Sequence, residues 1–376
     1  MELERIATNT YDFETIRKTG ITYVDKTGLM YPLVNTSMGN QFFLSRPRRF
    51  GKSLLLSMLQ KLFEGRRDLF RGLAIESLPW DWSATYPVIR LDMSLCSGET
   101  VGEVEGRVVA TMRSEADRLG VALRNEDDAA ICLQSFIEDV AASGSCGQVV
   151  LLVDEYDKPL THWVGSEKVR PFQAFLKSFY AVIKKTESMQ RFCLMTGVSK
   201  FSKAPIFSDL NNLTDLTMNP AATTLLGYTH EEVRKNYPVR LASLANQLGV
   251  DVDGAFAQLV SMYDGYCFDE RMVRVFNPVS LGSALRDMQL KSYWFETGTP
   301  AWLMTYAKKA PMDMDSPHCG RCRPGHFRAG RPLYACGSPA NRLSHYQGCL
   351  GPRYGHCLRP RLPQRGGLCG VQPPHA

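Results

Sequence analysis

Apolar residues fall along this chain in two rhythms. Short unbroken runs occur at Gln41–Ser45 (QFFLS), Val149–Val153 (VVLLV) and Phe192–Thr196 (FCLMT), and a further strand-like stretch, acid-ended, at Val88–Asp92 (VIRLD). Their length and continuity predict strands buried on both faces, as in a parallel sheet. Between them lie stretches with helical period, such as LLLSMLQKLF after Ser53 and RPFQAFLKSFYAVIKK before Phe192. Strands alternating with helices predict an α/β fold. Asp25, in YVDKTGLMYPLV, is placed to cap a helix that precedes the first strand. From residue 227 the helical period dominates. THEEVRKNY reads as a helix start, with Thr229 as N-cap and Glu232 three residues on. LASLANQLG closes on a glycine, GAFAQLVSMY continues the period, and CFDERMVRVFN predicts a hairpin turning on Asp269-Glu270-Arg271. The expected division is a core over residues 1–226 and a small helical lid over 227–310, compatible with a winged-helix-like module.

The pattern stops near residue 310. The stretch from 312 to 376 has nine Arg, no Lys, Glu, Ile or Trp, and only Asp313 and Asp315 as acids. It sustains neither period, and its Gly- and Pro-rich composition predicts too little buried apolar surface to offset ordering entropy. Residues 311–376 are therefore expected to be a disordered tail or a segment read out of frame. The competing reading is a zinc module on Cys319-x-x-Cys322 with His318 and His326, but a second pair at matching spacing is missing. The charge changes meaning with this division. The whole chain is +6, yet the residues before 312 carry 35 basic and 36 acidic side chains. A nearly neutral folded part gives no electrostatic footprint for nucleic acid, which is not expected as a partner. The near-neutral balance also favours a lid that caps a ligand over one that binds DNA. Five of the eleven cysteines (Cys96, Cys132, Cys146, Cys193, Cys267) are scattered through the first 310 residues, mostly in apolar contexts expected of reduced, buried thiols. No run of about 18 apolar residues and no secretory h-region is present, so a cytoplasmic protein without a membrane span is expected.

The candidate chemistry begins at the end of the first strand. Arg46-Pro47-Arg48-Arg49-Phe50-Gly51-Lys52-Ser53 joins that strand to a helix, the setting of a phosphate-binding loop. Backbone N–H groups and a helix N-terminus complement phosphate charge, a glycine allows close approach, a lysine reaches the outer phosphates, and a serine hydroxyl ligates Mg²⁺. Residues 46–54 are therefore candidate nucleotide contacts, with Lys52 also acting in catalysis. Arg46 stands where the generic G-x-x-x-x-G-K-[ST] pattern has glycine. Its side chain, with those of Arg48 and Arg49, could clamp phosphate or face solvent. About 100 residues on, Val149–Val153 is followed by Asp154-Glu155, at the strand end where open α/β sheets bind ligands. Asp154 is the candidate metal ligand with Ser53, and Glu155 the candidate base for an attacking water. Thr196 and Ser199, in TGVSK after a further strand, are candidates to sense the terminal phosphate. Asp92 also ends a strand and is given no role.

Several of these segments, YVDKTGLM, FLSRPRRFGKSLLLSML, YPVIRLDMS, LLVDEYDKPL, TGVSKFSK, FSDLNNLTDLTMNP, YDGYCFD and YWFETGTP, together resemble the AAA-ATPase-like family of bacterial P-loop proteins over roughly residues 5–309. RPRRFGKS resembles that family's own form of the loop. The resemblance implies a P-loop NTPase of the additional-strand catalytic Glu type with parallel strand order 5-1-4-3-2. It also implies ATP and Mg²⁺ as cofactors and Asp154-Glu155 as the acid pair. Resemblance of YVDKTGLM to a segment of related ATPases that packs on adenine adds Tyr23 and Val24 as candidate nucleotide contacts. Members often continue into a nuclease-like domain of the PD-(D/E)XK type, which nothing after Lys309 resembles. The expected function is Mg²⁺-dependent ATP hydrolysis coupled to a conformational change. Its alternatives are a non-hydrolysing nucleotide-dependent interaction module and a remnant of an ATPase–nuclease protein.

Overall fold

The computed structural model describes residues 3–7, 10–161, 163, 166, 168–198 and 212–293. Ser199 and the segment 311–376, with its competing readings, lie outside the described residues.

The chain opens with α1 (Phe13–Lys18) and α2 (Thr27–Val34), then β1 (Gln41–Ser45) and α3 (Lys52–Phe63). Next come β2 (Val88–Asp92), α4 (Val101–Leu119), α5 (Ala129–Ser143) and β3 (Val149–Asp154). The short α6 (Lys158–Thr161) and long α7 (Val169–Lys185) lead to β4 (Gln190–Gly197) and β5 (Thr214–Asp215). The five strands form one parallel sheet ordered β2-β3-β4-β1-β5. Read from the β5 edge, the order is 5-1-4-3-2. The fifth strand is only two residues long and pairs with Phe42 and Phe43 alone.

The unbroken apolar runs are explained by layers on both faces. Alternate residues of β3 go to opposite sides: Val149, Leu151 and Val153 pack with α4, α5 and α7, while Val150 and Leu152 pack with α2 and α3. Phe43 and its neighbours Phe42 and Leu44 divide in the same way on β1. With both faces covered, no solvent side exists to demand polar residues.

The C-terminal part of the described residues, from His230 on, has a core of its own. It comprises α8 (His230–Asn236), α9 (Pro238–Leu248), α10 (Val252–Tyr263), the antiparallel pair β6 (Tyr266–Cys267) and β7 (Arg274–Val275), and α11 (Pro278–Asp287). Leu241, Leu244, Phe256, Leu259, Leu281 and Leu285 form its centre, joined by Val24 from the N-terminal segment. The expected punctuation is present here. Thr229 and Glu232 form a reciprocal capping box, and Gly249 ends α9 at φ +67°. Asp25 departs from its expected place. The N-cap position of α2 is Lys26, and the Asp25 carboxylate instead accepts from Thr27 N (2.8 Å) and from Ala74 N (2.7 Å). It pins the helix start to a distant turn. Cys96, Cys132, Cys193 and Cys267 are buried free thiols, and Cys146 is exposed. Among the described residues no helix is long and apolar enough to cross a membrane.

Candidate functional site

The loop after β1 turns on two left-handed residues, Arg49 (φ +71°) and Gly51 (φ +91°). Gly51 is the N-cap of α3 and has no side chain to cap it, so the first N–H groups of that helix are left for a ligand or water. Lys52 opens the helix and is buried, with Nζ donating to the carbonyls of Arg46 (3.0 Å) and Pro47 (3.2 Å). Burial pushes its ammonium below the ordinary lysine range. The carboxylates of Asp154, Asp157 and Glu155 pull in the opposite direction without cancelling that effect.

Sheet register brings the other candidates alongside. Thr196 on β4 lies beside Leu44 of β1, and its hydroxyl donates to Asp154 Oδ1 of β3 at 2.7 Å. The same oxygen accepts from Glu155 N at 3.0 Å. Asp154 and Thr196 are both buried. Glu155 is half-buried and adopts φ +47°, a left-handed conformation uncommon for a side-chain-bearing residue. Burial raises its pKa above the ordinary value, and the neighbouring Asp154 adds to the rise. A carboxyl so placed holds a proton more readily than a solvated one, which suits a group that must accept one.

A cleft of about 630 Å³ runs over this loop. Arg48, Arg49, Phe50, Gly51, Lys52, Ser53 and Leu54 line one wall, with Glu155 at its end. Tyr23, Val24, Lys26 and Met58 line a second stretch, where Tyr23 Oη lies 3.0 Å from Met58 Sδ. Residues C-terminal to the sheet, Gly227, Tyr228, Pro278, Val279 and Ser283, contribute the rest. Both large parts of the molecule therefore wall the cleft.

Arg46 departs from expectation, because its side chain is not among the cleft-lining groups. Its guanidinium is buried, donates to the carbonyls of Ser45 (2.9 Å), Thr217 (2.7 Å) and Ala222 (2.8 Å), and lies 3.9 Å from the Phe268 ring centre. These partners take up the fork that phosphate would need. Pro47 contributes its carbonyl to Lys52 rather than a wall to the cleft. Thr196 acts on Asp154 from beneath. Ser199 lies outside the described residues.

Other residues here were not singled out in the sequence. Asp157 is buried and accepts from Val198 N at 3.1 Å. The cluster Asp154-Glu155-Tyr156-Asp157 was the available signal, hidden because it also reads as an acidic turn. Lys26 and Asn277 hold the cleft walls together, and only their partners in space, more than 190 residues away, reveal it.

Among the described residues no cluster of three or more His, Cys, Asp or Glu is arranged to hold a metal. The donors present, the Ser53 hydroxyl and the Asp154 carboxylate, are hard oxygens. They fit Mg²⁺, which takes few protein ligands and completes its shell with water and phosphate.

A family model described as predicted AAA-ATPase matches residues 7–207. A protein of Azotobacter chroococcum mcd 1, described as uncharacterized protein in vnfD 5′ region, is 37% identical over 283 residues. The alignment takes in 75% of this chain and 52% of that protein, so the chain spans about half the relative's length.

Proposed function

Since this chain belongs to the predicted AAA-ATPase family, we propose that it binds ATP with Mg²⁺ in the cleft over residues 48–54 and hydrolyses it, with β1, β3 and β4 serving as the core strands of an additional-strand catalytic Glu enzyme. The observation that supports the reading is that Lys52, buried, and Glu155 line a single cleft, with the buried Asp154 directly behind Glu155. Lys52 starts the helix after β1, and Asp154-Glu155 ends β3, with β4 between the two strands.

The triphosphate lies across the N-terminus of α3, where backbone N–H groups and Lys52 meet its charge. Lys52 exchanges the carbonyls of Arg46 and Pro47 for phosphate oxygens. Ser53 and Asp154 would hold Mg²⁺, which would supply charge neutralisation to the phosphates. Thr196 fixes the Asp154 carboxylate through its hydrogen bond. Glu155 takes the proton of the attacking water. The base and ribose occupy the stretch between Tyr23 and the lid. Because the lid supplies part of the cleft wall, occupancy is read out as a change in how lid and core sit together.

Calorimetry and phosphate release test this on the purified chain. Lys52→Ala is expected to abolish ATP binding. Glu155→Gln is expected to bind normally and to lose turnover by about 10²-fold or more. Unchanged affinity in the lysine variant would reject the site. ATP binding without any phosphate release in the unaltered chain would favour a nucleotide-dependent interaction module.

A further inference from the structure

The phosphate-binding loop is fastened along its length to the small hairpin and to the start of α11. Three separate contacts make the connection. Arg46 lies against the face of Phe268. Phe50, buried, meets Tyr266 and Phe268 edge-on, with ring centres 4.7 Å and 5.4 Å away. Asn277 Nδ2 donates to the Arg48 carbonyl at 3.3 Å.

The Asn277 contact differs from the other two because that side chain does two jobs. Its Oδ1 accepts from Val279 N and Ser280 N, both at 3.1 Å, and so caps α11. Its amide nitrogen reaches back to the loop. Asn277 is buried, and Pro278 and Val279 directly after it face the cleft. One planar amide thus ties the start of a cleft-lining helix to the backbone of the loop opposite. A Ser or Asp at this position would cap equally well. Neither side chain also carries an amide donor.

We propose that Asn277 is a positioning residue for nucleotide binding: its amide N–H sets the Arg48 carbonyl, and with it the curvature of residues 48–51, against the start of α11. A change in the loop when phosphate arrives is then passed to α11 through a single hydrogen bond. This rests on the reading of the cleft as an ATP site. A link of this kind couples two elements with a free energy worth about tenfold in affinity.

The test separates capping from positioning. Asn277→Ser keeps an N-cap oxygen and removes the amide donor. It is expected to unfold at the temperature of the unaltered chain, yet to bind MgATP about tenfold more weakly. ATP-induced protection of residues 278–287 from hydrogen exchange is expected to be lost. Asn277→Asp, which caps but sets a carboxylate against the Arg48 carbonyl, is expected to bind more weakly still. Unchanged affinity in Asn277→Ser overturns the proposal. So does a fall in affinity matched by a fall in unfolding temperature for both variants, since that marks a purely structural cap. If the unaltered chain and Lys52→Ala both fail to bind ATP, the ATP reading itself fails and the coupling falls with it.

Discussion

Arg46 shows how a single residue can be misread from a pattern. The generic loop has glycine there, so an arginine next to a phosphate site reads as a phosphate clamp. In the fold it is a buried fork holding the carbonyls of Ser45, Thr217 and Ala222. Arg46→Gly would restore the generic pattern while orphaning those carbonyls. It is expected to cost about 3 kcal/mol in denaturant unfolding and to leave ATP affinity no better than before. Tighter binding, or an unchanged midpoint, would return the guanidinium to the cleft. Glu155 allows a second test at this scale. Its pKa is raised by burial and by Asp154, so the carboxylate form appears only at higher pH than for a solvated glutamate. A base must be deprotonated to act, so turnover falls as pH drops through the raised value. The acid limb of the kcat/KM profile, which reports the free enzyme, is therefore expected above the ordinary glutamate value of 4.5, and it should be absent in Glu155→Gln. The placing of Gly51 and Lys52 at the start of the helix after β1, and of the acid pair at the end of β3, was legible because chain direction decides which end of a strand such residues follow. The role of Arg46 was not legible, because two of the carbonyls that its guanidinium holds, those of Thr217 and Ala222, lie more than 170 residues away.

At the scale of elements, the four long strands were legible and the fifth was not, for one physical reason. Burial on both faces forces continuous apolar runs, which β1, β3 and β4 have, while the edge strand β2 keeps Val88, Ile89 and Leu91 around Arg90. Thr214–Asp215 sits at the sheet edge, half-buried and polar, and its pairing comes from β1 rather than from its own composition. The close packing after β4 left no legible signal either. Gly197 ends that strand in an ordinary extended region, so no turn explains it. A Cβ there would come within 2.5 Å of the Tyr156 ring and 2.8 Å of Asp157 Oδ1. The ring is fully buried and Tyr156 N donates to the Thr196 carbonyl, so neither neighbour can retreat without moving the end of β3. Gly197→Ala is therefore expected to destabilise by about 1–3 kcal/mol, the usual range for an overpacked core. Because Tyr156 follows Glu155 directly, turnover should fall more than affinity. A thermal scan with the wild-type midpoint would show that β3 and β4 have more room than the geometry gives them.

For the whole molecule, what matters is how a sheet-centred core and a helical lid with its own apolar centre are held around one cleft. Lys26 makes a buried ion pair between them. Its ammonium lies 2.6 Å and 2.7 Å from the two oxygens of Glu232 and 2.7 Å from the Thr224 carbonyl. Glu232 also accepts from Thr229 N, so the same carboxylate that completes the capping box of α8 receives the cation from the start of α2. Removing the cation leaves that carboxylate with its capping role but without its counter-charge, at a site largely shielded from water. Lys26→Met keeps the length and apolar stem of the side chain, so the loss can be assigned to the charge. It is expected to cost about 2 kcal/mol, which raises exchange rates in a segment that opens locally roughly 30-fold. The location of that loss is the informative part. If the pair acts as a strap between two units, amides of α8 to α11 should lose protection while β1, β3 and β4 keep theirs. Saturating MgATP should then restore it, since a ligand in the cleft binds both walls. Equal loss in sheet and lid would mean that the two cores unfold as one, and that nucleotide occupancy cannot be signalled by moving the lid alone.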